Sequence, residues 1–523
     1  MQDDFQLALP YALRRLRTYP GAGEVVTLTA SGPSRTGYGE IAARIDRLAH
    51  GLRALGVDDG ERVATFAWNS QSHFECYFAI PCSGAVLHTL NVRLHDEHLA
   101  YVINHARDRV IFVEDTLAAR LAAIAGRLPS VERYVVIGDR PTDLPNAIRY
   151  EDLLADAPAS AFPYPDIPER QAAALCYTTG TTGEPKAVLY SHRSIVLHST
   201  SLLMTDAIGL QSSDRALLAV PMFHVNGWGW PHAAALNAMT LLLPGPHVQS
   251  EPLARLIEEE RATVIGGVPT IYADLLRYAD AHQPDLGSLR FGVTGGSAMP
   301  VALAQALYDR HGLRLLHAWG MTETSPMGTV SRAHPDPLGA KQGKPVPFVE
   351  LRLADEGGEE LPWDASSTGE LEVRGPWVAG SYYEQHAAGT HRDGWLRTGD
   401  VANIDPAGFV QLTDRTKDVI KSGGEWISSV ELENLLMSHP AVREAAVIAT
   451  PDERFGERPL AVIVLDAPAD AEALCAHLRP QVASFWLPDR FVFIDALPKT
   501  SVGKFDKRAL RTMREAGDLG PER

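Results

Sequence analysis

Ten consecutive residues, Tyr177-Thr-Thr-Gly-Thr-Thr-Gly-Glu-Pro-Lys186, gather the groups that hold an anion. Gly180 and Gly183 let backbone N–H groups approach a charged ligand closely, and the hydroxyls of Thr178, Thr179, Thr181 and Thr182 add donors. Lys186 supplies a positive charge for phosphate oxygens. The run is not a Walker A loop, because Gly183 is followed by Glu184 and not by Lys-Ser/Thr. A solvated turn is the bland alternative, but one turn rarely needs four threonines, two glycines and a lysine.

The elements around this loop read as an α/β protein. Ile41, Ile45, Leu48, Leu52 and Leu55 recur on one helical face, and Gly56 can end that helix. Arg62–Trp68 reads as a strand, Ser72–Ser83 as a helix, Val86–Leu90 as a strand, His95–His105 as a helix and Val110–Val113 as a strand. Strands separated by helices predict parallel pairing. Ala172–Tyr177 is the strand that delivers the threonine loop. The alternation resumes from Thr263 to His317. Gly343–Asp414 instead carries short β-like runs broken by Gly, Asp and Pro, which predicts antiparallel strands. From Lys417 onward the pattern is a compact mixed unit, so a domain boundary is expected near 414–417.

Composition narrows the class. The chain has 523 residues, 45% apolar and 22% charged, with 48 Lys/Arg against 65 Asp/Glu and a net charge of −17. These values fit an ordinary globular protein and disfavour a nucleic-acid coat. Cys76, Cys82, Cys176 and Cys475 form no CxxC pair, so neither a disulfide framework nor a zinc knuckle is expected, and a cytoplasmic setting is. The N-terminus is acidic first and basic later, which is the wrong order for a secretory leader. Ala216–Ser250 contains no Lys, Arg, Asp or Glu, yet its histidines, asparagines and prolines disfavour a membrane span. Buried strands and a helix that line an apolar pocket are expected there.

The threonine loop resembles the phosphate loop of the adenylate-forming superfamily, which includes acyl-CoA synthetases, luciferases and peptide adenylation domains. Six further strings follow in the order of that family. Gly295-Gly296-Ser297 resembles its adenine-side strand end. Trp319-Gly320-Met-Thr322-Glu323, preceded by Ala318, resembles a motif that usually begins with tyrosine. Thr398-Gly-Asp400 resembles the ribose motif, and Asp414-Arg415-Thr-Lys417-Asp418 the hinge. Ser422-Gly423-Gly424-Glu-Trp426-Ile427 resembles the hairpin beyond the hinge, and Pro498–Lys504 the C-terminal lysine loop. The resemblance implies a large N-terminal body of mixed sheets packed with helices plus a β-subdomain (1–413), a hinge (414–417) and a small mobile α+β C-terminal domain (418–523).

It also implies a two-step ligase. A carboxylate attacks the α-phosphorus of ATP to give acyl-AMP, and CoA then displaces AMP. Both partners in the first step are anions, so cations and donors are required. On the family's pattern Lys186 and the loop hold phosphates, Glu323 and Thr178 bind Mg²⁺, Thr322 donates to the α-phosphate, and Lys504 bridges the two reactants. Asp400 accepts the ribose hydroxyls and Arg415 touches ribose or phosphate. Lys417 marks the hinge position. Lys421 and Trp426 approach the nucleotide, and Gly423 and Gly424 admit the CoA arm. Trp319 keeps an aromatic face for adenine but loses the phenol oxygen. A homodimer is implied only by the resemblance.

The acyl group would lie along Met222, His224, Val225, Gly227, Trp228 and Trp230, a stretch similar to that of medium- or long-chain fatty acyl-CoA ligases. No acid is present there to neutralise an α-ammonium, which disfavours an amino acid. Two nearby indoles leave a small thioether, branched or cyclic acid open, and an acyl-AMP ligase with another acceptor remains an alternative. Lys507, Arg508, Arg511 and Arg514 fall on a short C-terminal helix. A solvated basic face is expected in preference to a contact with CoA phosphates or lipid.

Overall fold

The computed structural model describes every residue except 1, 3, 20, 22, 179–184, 333–340, 385–388, 424, 501–503 and 523, and the side chains of 425 and 426. Among the described residues, Ala147–Arg149, Arg133–Ile137, Val110–Glu114, Arg62–Phe66, Val86–Thr89, Ala172–Tyr177 and Ala187–Ser191 lie side by side in that order as one sheet. Its strands pair in parallel up to Ala172–Tyr177, as the helix-separated pattern predicts. Only the last pair, on either side of the threonine loop, is antiparallel. A second sheet centres on the parallel strands Phe291–Thr294, Val264–Gly267, Arg215–Leu218 and Thr240–Leu243. Leu315–Gly320 extends it on the Phe291–Thr294 side and turns antiparallel to Met327–Val330.

The two sheets face a shared layer of helices, Tyr38–Ala54, Gln71–Cys82, His192–Leu203 and Trp230–Asn237, whose side chains merge into one apolar core. Local rules set the ends of these helices. Ser70 and Ser191 accept the N–H groups of His73 and Ser194 as N-caps, at 3.3 and 3.1 Å. Gln71–Cys82 shows no amphipathic stripe, because His73 to Cys82 are all buried between the layers. The charge-free segment behaves as expected: Arg215–Leu218, Trp230–Asn237 and Thr240–Leu243 are two strands and a helix, almost wholly buried.

Glu350–Ala354, Gly369–Arg374, Trp395–Ile404 and Val410–Arg415 form an antiparallel sheet. The sheet changes between Arg415 and Ile420. Beyond that point Ile420–Ser422, Val442–Asp452, Gly456–Leu465 and Arg490–Phe493 build a separate sheet, packed by Ser429–Met437, Ala471–Leu478 and Lys507–Ala516. The last helix departs from its expected solvated face. Lys507 is held 2.8 Å from Glu433 and donates to Ser429 Oγ at 2.6 Å. Arg511 pairs with Asp418, and Arg514 with Glu522 at 3.0 Å. Three of its four basic residues, Lys507, Arg511 and Arg514, face acids of the same C-terminal unit, a long-range arrangement that helical spacing alone does not reveal.

Candidate active site

A cavity of about 890 Å³ opens where the second sheet, the antiparallel sheet and the C-terminal unit meet. It collects residues from most of the motifs. Thr178, Lys186, His224, Val225, Trp228, Trp230, Gly295, Gly296, Ser297, Ala318, Trp319, Gly320, Thr322, Glu323, Asp400, Arg415, Lys417 and Lys504 all line it.

The threonine loop itself, Thr179 to Gly183, lies outside the described residues. Its two ends are described. Thr178 N–H donates to the Lys186 carbonyl at 2.7 Å, so the strands on either side are clamped at the loop's base. The Lys186 ammonium sits 5.0 Å from the centre of the Tyr382 ring, within cation–π range. Tyr382 in turn donates to Glu323 Oε1 at 2.5 Å. Glu323 is 6% exposed and its carbonyl accepts Ala379 N–H at 2.7 Å. The sequence reading missed Tyr382, whose only local signal is an adjacent tyrosine pair, Tyr382-Tyr383, amid small and polar residues. The neighbouring Thr322 is fixed through its carbonyl, which accepts the Tyr190 hydroxyl at 2.6 Å.

Glu323 and Thr178 offer a carboxylate and a hydroxyl to the same cavity. Hard oxygen donors of this kind suit Mg²⁺, which keeps several waters and takes the rest of its ligands from phosphates. Among the described residues no group of three or more His, Cys, Asp or Glu could hold a metal. A carboxylate and a hydroxyl fit an ion that takes its remaining ligands from water and a nucleotide's phosphates.

Asp400 and Arg415 face each other across paired strands, with Arg415 Nε 3.1 Å from Asp400 Oδ1. The second oxygen, Oδ2, accepts the indole N–H of Trp319 at 2.8 Å. Trp319 thus does more than offer a ring face: it supplies a donor where the missing phenol had left the hydrogen bonding open. Lys504 enters from the C-terminal unit, where its carbonyl accepts Thr500 N–H at 2.7 Å and its N–H donates to Thr500 Oγ1 at 3.2 Å. A methyl group placed at Gly296 would meet Lys504 Cε at 3.3 Å, so this glycine makes room for the lysine. Burial first, then the nearby Arg415 charge, with Asp400 opposing them, pushes the Lys504 ammonium down to about 8.

The apolar wall starts at His224. Val225, Asn226, Gly227, Trp228 and Gly229 all take left-handed backbone angles, φ +45° to +74°. L-residues pay about 1–2 kcal/mol each for this conformation. The tight turn presents Val225 and Trp228 to the cavity. Trp230 is 1% exposed and lies against Gly266, where a Cβ would meet its ring at 3.0 Å. Burial, then the charge of Lys504, pushes His224 down to about 3, so it is a neutral wall residue at physiological pH. Met222 is fully buried, anchored by Asn69 Oδ1 at 2.7 Å and by the Tyr77 hydroxyl, and it does not line the cavity. Gly227 is likewise behind the wall, near Leu218 and Met222.

The hairpin residues stand elsewhere. Lys421 is exposed with its ammonium 3.4 Å from Glu356, and Gly423 turns with φ +62° beside Phe455. Neither lines the cavity. Gly424 and the Trp426 side chain lie outside the described residues.

With Thr178, Lys186, Glu323, Asp400 and Lys504 beside Val225, Trp228 and Trp230 in one cavity, the chain has the site of an adenylate-forming enzyme. The chain belongs to the AMP-binding enzyme family, whose main region matches residues 14–383 and whose C-terminal domain matches residues 431–504. It is 41% identical over 531 residues to a medium-chain-fatty-acid–CoA ligase of Ectopseudomonas oleovorans, covering 98% of this chain and 97% of that one. It is 42% identical over 511 residues to a 3-methylmercaptopropionyl-CoA ligase of Ruegeria lacuscaerulensis, covering 94% of each. Among solved structures, an anthranilate CoA ligase in complex with anthranoyl-AMP superimposes with a TM-score of 0.89 at 28% identity, over 98% of this chain and 99% of that one.

Proposed function

We propose that the protein is an ATP-dependent fatty acyl-CoA ligase whose preferred acid is of medium chain length. The observation that carries this reading is the single cavity, polar at Asp400, Glu323 and Lys504 and apolar at Val225, Trp228 and Trp230. It can hold a nucleotide and an uncharged acyl chain with their reactive ends together.

In the first step a carboxylate oxygen bonds to the α-phosphorus of ATP and the bond to pyrophosphate breaks. Lys504 lies between the two anions and offsets their repulsion, and Thr322 donates to the α-phosphate. Lys186 and the threonine loop hold the outgoing phosphates. Glu323 and Thr178 would hold Mg²⁺, which supplies neutralising charge when bound. Asp400 and Arg415 orient the ribose. In the second step the CoA thiolate attacks the acyl carbon and AMP leaves with the electron pair. That step uses a rotation of 418–523 about 414–417 at Lys417. The rotation withdraws Lys504 and brings Lys421, Gly423, Gly424 and Trp426 to the CoA path. The free cysteines, three of them buried, support a cytoplasmic setting. No helix among the described residues is long and apolar enough to cross a membrane. A homodimer, carried by family resemblance alone, would show in sedimentation.

A panel of saturated acids with ATP, Mg²⁺ and CoA tests the reading. Pyrophosphate release should peak at medium chain length and acyl-CoA should appear. A peak only with acetate, or only with aryl acids, overturns it. The name of the Ruegeria relative favours one second reading, a small thioether acid. In that case 3-methylmercaptopropionate would outrun every fatty acid on the panel.

A further inference from the structure

We propose that Trp319 is a positioning residue for nucleotide recognition: its indole N–H aims Asp400, and this sets selectivity for the ribose 2′-hydroxyl. The inference rests on the ligase reading above and names a device within that site.

Asp400 is 5% exposed, and a carboxylate so enclosed needs partners on the protein side. It has two. Arg415 Nε approaches Oδ1 at 3.1 Å, and Trp319 Nε1 donates to Oδ2 at 2.8 Å. The first is half-exposed, on a side chain with several rotatable bonds. The second comes from a rigid ring that is 5% exposed. The indole is therefore the better-fixed of the two directors. A carboxylate offers about four acceptor positions, so two remain for a vicinal diol.

The ring is seated for this purpose. Leu315–Gly320 is irregular between Trp319 and Gly320 where it pairs with Met327–Val330, and such bulges re-aim side chains. A Cβ at Gly328 would come within 2.4 Å of Trp319 Cζ3, so only glycine leaves space for the benzo ring. The bond also crosses from the second sheet to the antiparallel sheet, joining residues 81 apart in sequence. Without the N–H, Oδ2 would lose its directional partner and the carboxylate could rotate away from the diol.

Equilibrium binding of AMP and of 2′-deoxy-AMP, by titration calorimetry, tests this without any acid substrate. The wild type should prefer AMP. In Trp319→Phe, which keeps a ring but no donor, the preference should fall roughly tenfold, the scale expected for a hydrogen bond to a charged group. The fall should come from AMP weakening more than 2′-deoxy-AMP, because AMP loses the contacts of two hydroxyls and 2′-deoxy-AMP that of one. In an Asp400→Ala background, Trp319→Phe should leave the ratio within twofold. Trp319→Leu provides a second donor-free variant, and the ratio is read on whichever unfolds in one transition. If both nucleotides weaken equally, or the ratio drops as much without Asp400, Trp319 is only a packing surface and the inference is overturned. If the wild type binds AMP with no ribose preference, the inference alone fails. If it binds no adenine nucleotide, the ligase reading fails with it.

Discussion

Lys504 gives the sharpest pH prediction. Burial, the Arg415 charge and the opposing pull of Asp400 leave its ammonium near 8, against an ordinary value of 10.5. The role proposed for Lys504 needs the charged form, so activity should be complete well below that value and lost as pH rises through it. At pH 9 a group titrating at 8 is about 9% protonated, whereas one at 10.5 remains about 97% protonated. kcat/KM for ATP reports ionisations of the free enzyme, so it should fall about eightfold between pH 7.5 and 9 with a single break. ATP carries its full negative charge across this window. Lys504→Arg supplies a cation that does not titrate there. Its rate should be lower, because the guanidinium is larger and shaped differently, but its profile should be flat to pH 9.5. Pyrophosphate release at subsaturating acid and ATP measures both, so that the free enzyme is the species titrated. A flat wild-type profile to pH 9.5, or the same break in Lys504→Arg, would refute the reasoning.

Two further perturbations follow from the site. Tyr382→Phe removes the 2.5 Å donor to Glu323 and keeps the ring beside Lys186. Adenylation should fall about tenfold and half-maximal Mg²⁺ should rise, with the melting temperature nearly unchanged; an unaltered Mg²⁺ titration would contradict the role given to Glu323. Trp230→Ala empties a buried site opposite Gly266 and should cost about 3–5 kcal/mol in denaturant unfolding. Its preferred acid should also lengthen relative to the wild type, and an unchanged chain-length profile would place the acyl group elsewhere.

Much of this was legible in the sequence, for identifiable reasons. Hydrophobic periodicity and βα alternation located the parallel strands from Arg62 to Glu114, because buried parallel sheets leave continuous apolar runs. The absence of charge in 216–250 read through to buried strands and a helix. What stayed hidden depends on distant partners. The Trp319–Asp400 bond spans two sheets, and the clamp of Tyr382 on Glu323 joins residues 59 apart. Lys507 looked solvated by composition, yet Glu433 and Asp414 draw it inside. The left-handed run at Val225–Gly229 contains valine, asparagine and tryptophan, and two of those three give no local hint of positive φ. Burial also separated Met222 and Gly227 from the cavity that their neighbours line, a distinction that a linear motif cannot make.

The central claim is a two-step ligation through an acyl-adenylate. Octanoate, ATP and Mg²⁺ without CoA should yield octanoyl-AMP and pyrophosphate, detected by mass spectrometry in the amount of enzyme present. Adding CoA should convert that pool to octanoyl-CoA and AMP and allow turnover to continue. Formation of ADP in place of AMP, or failure of CoA to consume the adenylate, would contradict the account.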